Sequence, residues 1–272
     1  MISIIGYFAA VLIGVSLGLI GGGGSILTLP VLTYLFGIDA KTATAYSLFV
    51  VGFSALVGGI QMARKGLVEY KTLVIFALPA LAAVYFTRAY IVPAIPEVLF
   101  TFGDYIVTGD LAIMVFFAII MLLASFSMIR GRKEIAQQET TITYNYPMIL
   151  LEGIIVGLVT GIVGAGGGFL IIPALVILAK LPMKMAVGTS LLIIAAKSLI
   201  GFIGDMGNPQ IGAGAGIDWT FLMIFTGIAI VGIFIGTWLS RFISGAKLKK
   251  GFGWFVLIMG IYILSERISS IM

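Results

Sequence analysis

The chain contains neither cysteine nor histidine in its 272 residues. Their absence excludes disulfide bonds, thiolate chemistry, zinc sites with Cys and His ligands, and acid–base catalysis by histidine. Charged residues are also scarce, at 10%, whereas about a quarter of the residues of a typical soluble domain are charged. Because the few carboxylates are scattered, we expect no enzyme activity, no cofactor and no metal site.

Hydrophobic residues make up 61% of the chain. Apolar stretches long enough to cross a bilayer, about 17 to 25 residues each, recur along its whole length. The sequence therefore predicts an all-α polytopic protein of the cell (inner or plasma) membrane. The N-terminal MISIIGYFAAVLIG lacks the basic region of a signal peptide, so we expect it to belong to the first membrane segment. No basic stripe interleaved with aromatics indicates a nucleic-acid partner.

Two glycine-rich runs interrupt the apolar pattern and belong to one repeated unit. Residues 18–59 align with residues 161–202 without a gap when the chain is shifted by 143 positions. The aligned identities include glycines, a proline, a lysine and a serine, which hydrophobicity alone does not place in one register. Internal repeats are typical of secondary transporters. The sequence therefore predicts a first membrane repeat (1–129), a polar linker (130–147) and a second membrane repeat (148–272).

Each repeat has the same predicted order of segments: an apolar arm, the glycine turn, a short arm and three long spans. The short arms cover only about half of a roughly 30 Å hydrocarbon core. The predicted segments are 4–19, 26–36, 42–63, 72–92 and 111–129 in the first repeat, and 148–163, 169–179, 185–203, 219–240 and 252–264 in the second.

The distribution of Lys and Arg indicates how the two arms of each repeat are connected. If the arms form one broken helix that crosses once, the fourteen Lys and Arg outside the span interiors divide seven to seven across the membrane. If the arms form a hairpin, twelve of them face the cytoplasm and two face outward, as the positive-inside rule favours. The sequence therefore predicts inverted-topology repeats, both termini outside and a cytoplasmic linker. Whether the hairpins are re-entrant or span the bilayer stays open.

The glycine turns are the candidate substrate site. In lipid, non-helical backbone survives only where protein or a water-filled cavity surrounds it. A helix that begins there points unpaired N–H groups and a positive dipole end at the turn, and such ends bind small anions. The two-fold relation of the repeats is expected to bring both turns together near the midplane. The candidate residues in the turns are Gly22, Gly23, Gly24, Ser25, Gly166, Gly167 and Gly168.

Other glycines recur at four-residue spacing, which is typical of helices in close contact. The contiguous runs at 21–24 and 164–168 make a poor helix face, so we interpret only these as functional turns. The glycines expected to serve helix packing instead are Gly14, Gly18, Gly153, Gly157 and Gly161.

Two cations lie inside predicted spans. Lys197 is well within its span, where a lysine costs about 2.5 to 3.5 kcal/mol on insertion scales. We therefore expect it to bind substrate, the alternative being that it snorkels to the outer interface. Arg88 lies closer to an interface, and we expect it to snorkel or to form an ion pair with Glu97 or Asp104.

Hydroxyl groups and one carboxylate complete the candidate site. Thr44, Ser47, Thr189 and Ser190 occupy early positions of the spans that follow the hairpins. They either line the cavity or satisfy helix backbone. Glu152, one turn into the second hairpin, either relays a proton for coupling or is an interfacial carboxylate. The sequence leaves both pairs of alternatives open.

The doubled glycine turn, followed in each repeat by a proline, and the segment LPMKMAVGTSLLIIAAKSLIGF resemble the sulfite exporter TauE/SafE family of membrane transporters. The resemblance covers essentially the whole chain. It implies an exporter of small sulfur-containing anions such as sulfite, sulfoacetate or other organosulfonates. The first turn reads GGGGS and the second GAGGGF, so whether both half-helix ends contact the ligand is open.

The repeats and the broken helices indicate alternating access around a midplane anion site. The alternatives are an uncoupled anion channel or facilitator with the same site, and a transporter of a different small organic anion. The expected partners are the lipid bilayer and a small anionic substrate, while proton or ion coupling and a homodimer are left open.

Overall fold

The computed structural model describes residues 2–102, 105–130, 146–177, 179–208, 211, 216–240, 242 and 245–269. Most of the predicted linker, 131–145, therefore lies outside the described residues. Within these ranges the chain forms ten helices and one pair of strands. The helices are α1 (Ile2–Ile20), α2 (a 3₁₀ turn Gly23–Leu27, an α turn Thr28–Pro30 and a π turn Val31–Leu35), α3 (Ala40–Arg64), α4 (Tyr70–Ala94, with a π turn at Thr87–Ile91), α5 (Gly109–Ile129), α6 (Tyr146–Val163), α7 (Gly168–Ile177), α8 (Met183–Asp205), α9 (Trp219–Leu239) and α10 (Gly245–Ser269).

The helices confirm an all-α polytopic membrane protein. Among the described residues, five helices are long and apolar enough to cross a membrane, namely α3, α4, α5, α8 and α9. The sixth predicted span, near residues 252–264, lies in α10. Several helices begin at acidic N-caps, because a carboxylate accepts the unpaired N–H groups of the first turn. Asp39 accepts from the N–H of Thr42 at 2.8 Å, and Asp218 from that of Phe221 at 2.9 Å.

The segment 95–110 connects two spans and contains no Lys or Arg, so the hairpin topology predicts it as an outside loop. It contains a small antiparallel hairpin. Strand β1 (Val98–Phe102) pairs with β2 (Tyr105–Thr108), with Thr101 opposite Ile106. Both strands consist of aromatic, β-branched and other apolar residues, which favour a pleated conformation. The placement of this segment outside the membrane stays a prediction.

The first pair of arms is a hairpin, as predicted. Gly21, at φ +81°, reverses the chain, in a conformation that glycine adopts without steric cost. A Cβ built on Gly24 would lie 2.6 Å from the backbone nitrogen of Leu17, and one built on Gly6 would lie 2.4 Å from the ring of Phe36. Helix α2 therefore runs back along α1 and returns toward the side from which α1 started.

The packing of helices pairs the two repeats element by element. Helix α1 packs on α9 and α6 packs on α4, while α3 packs on α8 and α5 on α10. In the α3–α8 pair, Gly52 lies against Leu199 and Gly59 against Leu192, so these equivalent helices run antiparallel. A two-fold axis in the membrane plane requires this direction. The contacts support the predicted inversion, while the orientation relative to the membrane stays a prediction.

The four-residue glycine pattern serves helix packing, as expected. A Cβ on Gly14 would lie 1.9 Å from the carbonyl oxygen of Ala229, and one on Gly157 would lie 2.6 Å from that of Ala80. Two hydrophobic clusters result, and each joins elements of both repeats. The first contains residues of α1, α2, α9 and α10, and the second contains residues of α4, α6, α7 and α8.

The α1–α9 contact is expected to be intolerant of a single methyl group. A Cβ on Gly232 would lie 2.2 Å from the carbonyl oxygen of Val11, whereas one on Gly227, in the same helix, meets nothing within 4 Å. Gly232→Ala should destabilise the protein by about 1 to 3 kcal/mol through overpacking. Gly227→Ala should be neutral or stabilise it by about 0.5 to 1 kcal/mol. Thermal unfolding of the purified variants in detergent measures both, and equal effects would contradict the close contact.

Candidate functional site

The two glycine turns meet in direct backbone contact. A Cβ built on Gly22 would lie 2.1 Å from the Cα of Gly168, and one built on Gly168 would lie 2.0 Å from the Cα of Gly22. The side chain of Ile194 closes over both, with its Cδ1 within 2.5 and 2.7 Å of the two Cβ positions. In the present conformation this contact leaves no room for a ligand between the two glycines, and such a position would require the turns to separate.

Contacts around the turns repeat at aligned positions. A Cβ on Gly164 would lie 2.5 Å from the Cα and Cβ of Thr44, and a Cβ on Gly21 would lie 2.8 Å from Val187 Cγ1. In the alignment of the two repeats, Gly164 matches Gly21 and Val187 matches Thr44. Each turn thus packs against a long helix of the opposite repeat, the second turn against α3 and the first turn against α8.

Lys197 lies beside the second turn and does not snorkel to an interface. Its side chain is fully buried. Its Nζ donates a hydrogen bond of 2.5 Å to Thr160 Oγ1 and lies 2.8 Å from the position of a Cβ on Gly167. Thr160 in turn donates to the carbonyl oxygen of Val156 at 2.6 Å.

Among the described residues, no carboxylate lies within ion-pair distance of the Lys197 ammonium. The ion pairs shorter than 4.0 Å in that part of the chain are Arg88–Asp205 and Arg267–Glu266. A buried charge that lacks a countercharge is expensive. An anion bound at this ammonium would supply the missing countercharge.

The second turn also supplies a helix N-terminus, and the first does so less well. Helix α7 starts at Gly168, and Gly167 O accepts from the N–H groups of Leu170 and Ile171 at 2.9 and 3.0 Å. The N–H groups of Gly168 and Phe169 precede these and have no acceptor within the helix. The first arm instead opens with the 3₁₀ turn Gly23–Leu27, in which hydrogen-bond geometry is poorer. The hydroxyl of Ser25 donates to the carbonyl oxygen of Gly22 at 2.8 Å.

The expected position of Arg88 is wrong. Its side chain is fully buried and pairs with Asp205, with Nη2 and Nε at 2.5 and 2.7 Å from Oδ2. Its Nη1 donates to Thr44 Oγ1 at 2.9 Å and to the carbonyl oxygen of Gly161 at 3.1 Å. A planar guanidinium can serve several acceptors at once. It therefore connects α3, α4, α6 and α8, and it neither snorkels nor pairs with Glu97; Asp104 lies outside the described residues.

Comparison with known proteins agrees with this architecture. The sequence model of the family described as "Sulfite exporter TauE/SafE" matches residues 6–263. The chain belongs to the sulfite exporter TauE/SafE family. It is thus a multi-pass membrane transporter and not an enzyme. Such a transporter is embedded in a lipid bilayer and has a small substrate.

Three relatives illustrate the similarity of this TauE/SafE chain to known proteins, two over most of its length and one over less than half. A "Probable membrane transporter protein" of Xylella fastidiosa (strain 9a5c) is 31% identical over 258 residues, with 93% of this chain and 91% of the relative covered. The "Probable membrane transporter protein YdhB" of Bacillus subtilis (strain 168) is 28% identical, with 93% and 96% covered. The "Probable membrane transporter protein MJ0441" of Methanocaldococcus jannaschii is 32% identical over 127 residues, with 44% and 45% covered. No solved structure matches the chain.

The hydroxyl candidates of this TauE/SafE transporter divide into two groups. Thr44 and Ser47 are buried on α3, and Thr44 contacts both the second turn and Arg88. Thr189 accepts from the N–H of Glu69 at 2.9 Å, and Ser190 donates to the carbonyl oxygen of Val187 at 2.8 Å. These two precede Lys197 by eight and seven residues, which is about 10 to 12 Å along the helix. The structure therefore does not bring Thr189 and Ser190 to the lysine.

Glu152 also lies away from the lysine. It is half-buried on α6, eight residues before Thr160 and thus about 12 Å from it along the axis. Its assignment as a coupling group stays a prediction.

Sequence reasoning missed Thr160, Asp205 and two serines. Ser54 and Ser198 are fully buried, and within the described residues their hydroxyls have no hydrogen-bond partner. The sequence contains one signal that points to Ser54, because this residue matches Lys197 in the alignment of the two repeats. The antiparallel register of α3 and α8 places these aligned residues at the same level.

Proposed function

We propose that this transporter exports small sulfur-containing anions, such as sulfite or organosulfonates, by alternating access around a site beside the second glycine turn. The site consists of the Lys197 ammonium, which Thr160 Oγ1 positions by accepting one of its N–H bonds, and the backbone N–H groups of Gly168 and Phe169. The observation that carries the proposal is a fully buried lysine without a carboxylate within 4.0 Å among the described residues. The family to which the chain belongs supports the chemical class of the substrate.

The donors suit an oxyanion with three terminal oxygens. The lysine ammonium has three N–H donors, one of which is directed to Thr160 Oγ1. The two backbone N–H groups lie at the positive end of the helix dipole of α7. Sulfite and sulfonates share their charge over three acceptor oxygens, so one ammonium and several neutral donors bind them without one full positive charge for each oxygen. Gly167 has no Cβ to keep the ligand away from the lysine, where a Cβ would come within 2.8 Å of Nζ.

The contact between the two glycine turns supports alternating access. In the present conformation Gly22 and Gly168 touch, and Ile194 covers both. A ligand passes this level only when the turns move apart. Helix α1 packs closely on α9 through its glycines, and α6 packs in the same way on α4. These contacts favour movement as two bodies, one that contains the first hairpin with α9 and one that contains the second hairpin with α4. A two-fold relation of the repeats, which the antiparallel contact of α3 with α8 supports, would make opening on either side the same type of displacement.

Counterflow from proteoliposomes tests the proposed substrate class. Vesicles loaded with unlabelled sulfite, sulfoacetate, thiosulfate or acetate are diluted into the same labelled anion at low concentration. We expect transient accumulation of label with sulfite or sulfoacetate and none with acetate. Accumulation with acetate alone would overturn the class. Dependence of the flux on an imposed proton gradient separates a coupled transporter from an uncoupled facilitator, in which flux is unchanged by the gradient at constant voltage.

Gly167→Leu is expected to block transport. Gly167 lies at φ +70°, and a Cβ there would come within 2.3 Å of Thr160 and 2.8 Å of Lys197 Nζ, so leucine fills the space beside the ammonium. Gly66 has nearly the same backbone, at φ +69°, with nothing within 4 Å of its Cβ position. Gly66→Leu therefore carries the same backbone strain, about 1 to 2 kcal/mol, without filling the site. Counterflow should be lost in the first variant and retained in the second; similar losses in both would assign the effect to backbone strain.

A further inference from the structure

A polar cleft lies between the C-terminal ends of α3 and α9, separate from the anion site. Its volume is about 330 Å³, and its lining residues are Gln61, Arg64, Lys65, Phe234, Thr237 and Trp238. This is at the lower end of the 300 to 1,000 Å³ that is typical of ligand pockets. Among the described residues no acidic side chain lines it, so the cleft has a net positive charge from two exposed cations.

Two polar atoms in the cleft wall are left without a hydrogen bond. Gln61 Nε2 and Thr237 Oγ1 are buried and, in the part of the chain that the structure describes, have no partner. Thr237 is only 6% exposed. Buried polar groups are normally hydrogen-bonded. An acceptor that enters the cleft would satisfy both once the side chains of Gln61 and Thr237 turn toward it.

The equivalent place on the other side of the repeat relation shows what this position can hold. Gly161 on α6 contacts Thr87 on α4, and its aligned residue Gly18 on α1 contacts Gly236 on α9. Thr87 and Gly236 are therefore equivalent. The residue that follows each of them is also equivalent, so Thr237 occupies the place of Arg88. Continuing the shift of 143 past the aligned range, Met62 matches Asp205 and Gln61 matches Gly204, and a Cβ on Gly204 would lie 3.1 Å from Arg88. At this equivalent place a buried ion pair, with one residue from each repeat, therefore fills the site. At the cleft the matching residues, Thr237 and Met62, are neutral, and the cleft remains.

The surroundings of the cleft are those of a membrane interface. Phe234 and Trp238 are each 55% exposed on α9, and the Trp238 ring lies 5.1 Å from that of Phe242. Tryptophan and exposed aromatic residues are enriched where the bilayer meets water. Arg64 and Lys65 at the rim belong to the loop that the charge distribution predicts to be cytoplasmic. A ligand here contacts cations and neutral donors at one end and lipid-facing aromatic rings at the other.

We propose that this cleft binds the headgroup of an anionic phospholipid of the cytoplasmic leaflet. The phosphate lies between Arg64 and Lys65 and accepts from Gln61 Nε2 and the Thr237 hydroxyl, while the acyl chains lie along Phe234 and Trp238. Basic pockets between transmembrane helices on the cytoplasmic side recognise anionic headgroups in this way. A free anion would use the cations but gain nothing from the aromatic rings.

Native mass spectrometry of the purified transporter with added lipid tests the proposal. Phosphatidylglycerol should bind, and phosphatidylcholine with the same chains should bind at least about tenfold more weakly. In the Arg64→Gln/Lys65→Gln variant the affinity for phosphatidylglycerol should fall by about 10- to 30-fold, from about 1 kcal/mol for each cation near an anionic surface. Lys71→Gln/Lys184→Gln removes two exposed cations elsewhere and should change the affinity less than about threefold.

Further arms separate the headgroup from other anions and from charge alone. Gln61→Leu/Thr237→Val retains both cations and should still weaken phosphatidylglycerol binding about five- to tenfold, since it removes two neutral donors. Equal binding of the two lipids, or unchanged binding in the Arg64/Lys65 variant, overturns the proposal. Thermal stabilisation by inorganic phosphate or sulfite that the Arg64/Lys65 variant loses, without stabilisation by lipid, would replace the lipid with a free anion. Retention of substrate binding at Lys197 shows that each variant is folded.

Discussion

Lys197→Ala is expected to abolish substrate binding while leaving the protein folded. The ammonium is the one charged group in the proposed anion site, and hydrogen bonds to charged groups contribute about 1.5 to 3 kcal/mol each. Its loss should weaken sulfite or sulfoacetate binding by about 10- to 150-fold, which removes binding and counterflow at ordinary substrate concentrations. The measurement is substrate-dependent thermal stabilisation of the purified protein, followed by counterflow in proteoliposomes.

Two further variants separate charge from packing at this position. Lys197→Met retains most of the side-chain volume and should lose binding to the same extent. Without substrate it should be as stable as the wild type or more stable, because an unpaired buried charge is removed. Lys184→Ala changes an exposed lysine of the same helix and should leave binding unchanged. Wild-type affinity in both Lys197 variants would remove this residue from the site.

The Arg88–Asp205 pair is expected to dominate the stability of the region behind the second turn. Asp205→Ala leaves a fully buried guanidinium that retains only Thr44 and the carbonyl oxygen of Gly161 as acceptors. Removing one partner of a buried ion pair costs about 3 to 5 kcal/mol. We expect losses of this size for Asp205→Ala and for Arg88→Met, measured by denaturant-induced unfolding in mixed micelles.

A double-mutant cycle distinguishes the pair from the packing of its side chains. Arg88→Met/Asp205→Ala removes both charges together and should lose clearly less stability than the sum of the two single variants, because neither charge is left buried without its partner. Glu266→Gln affects the partly exposed pair with Arg267 and should cost less than about 1 kcal/mol. If the double variant is as unstable as the sum of the single variants, the two charges do not stabilise each other.

The sequence predicted the parts of the fold that depend on repetition and on the hydrophobic pattern. The alignment of the two repeats predicted that the glycine turns come together, and the structure shows Gly22 against Gly168. The four-residue spacing predicted close helix contacts at Gly14 and Gly157, which the structure also shows. Hydrophobicity alone predicted most span boundaries to within a few residues. Each of these features is present in the local sequence.

The features that the sequence did not reveal depend on partners far apart in the chain. Arg88 and Asp205 are 117 positions apart and belong to different repeats, so an apolar pattern gives no reason to pair them. The position of Thr189 after the hairpin makes it a candidate that either lines the cavity or satisfies backbone, whereas its acceptor role toward Glu69 depends on the packing of α4 against α8. The hydroxyl of Thr160 belongs to the site only because the second turn brings α6 to Lys197.

The parallel contact of α1 with α9 also has a consequence for synthesis of the protein. Gly14 lies near the start of the chain and its contact partner Ala229 near the end, and a ribosome takes about 10 to 40 s to translate the sequence between them. Until then the glycine face of α1 has no native partner in the bilayer, and neither half of the coding sequence alone specifies a complete core. The first hairpin therefore waits in the membrane, or with the insertion machinery, until nearly the whole chain has been made.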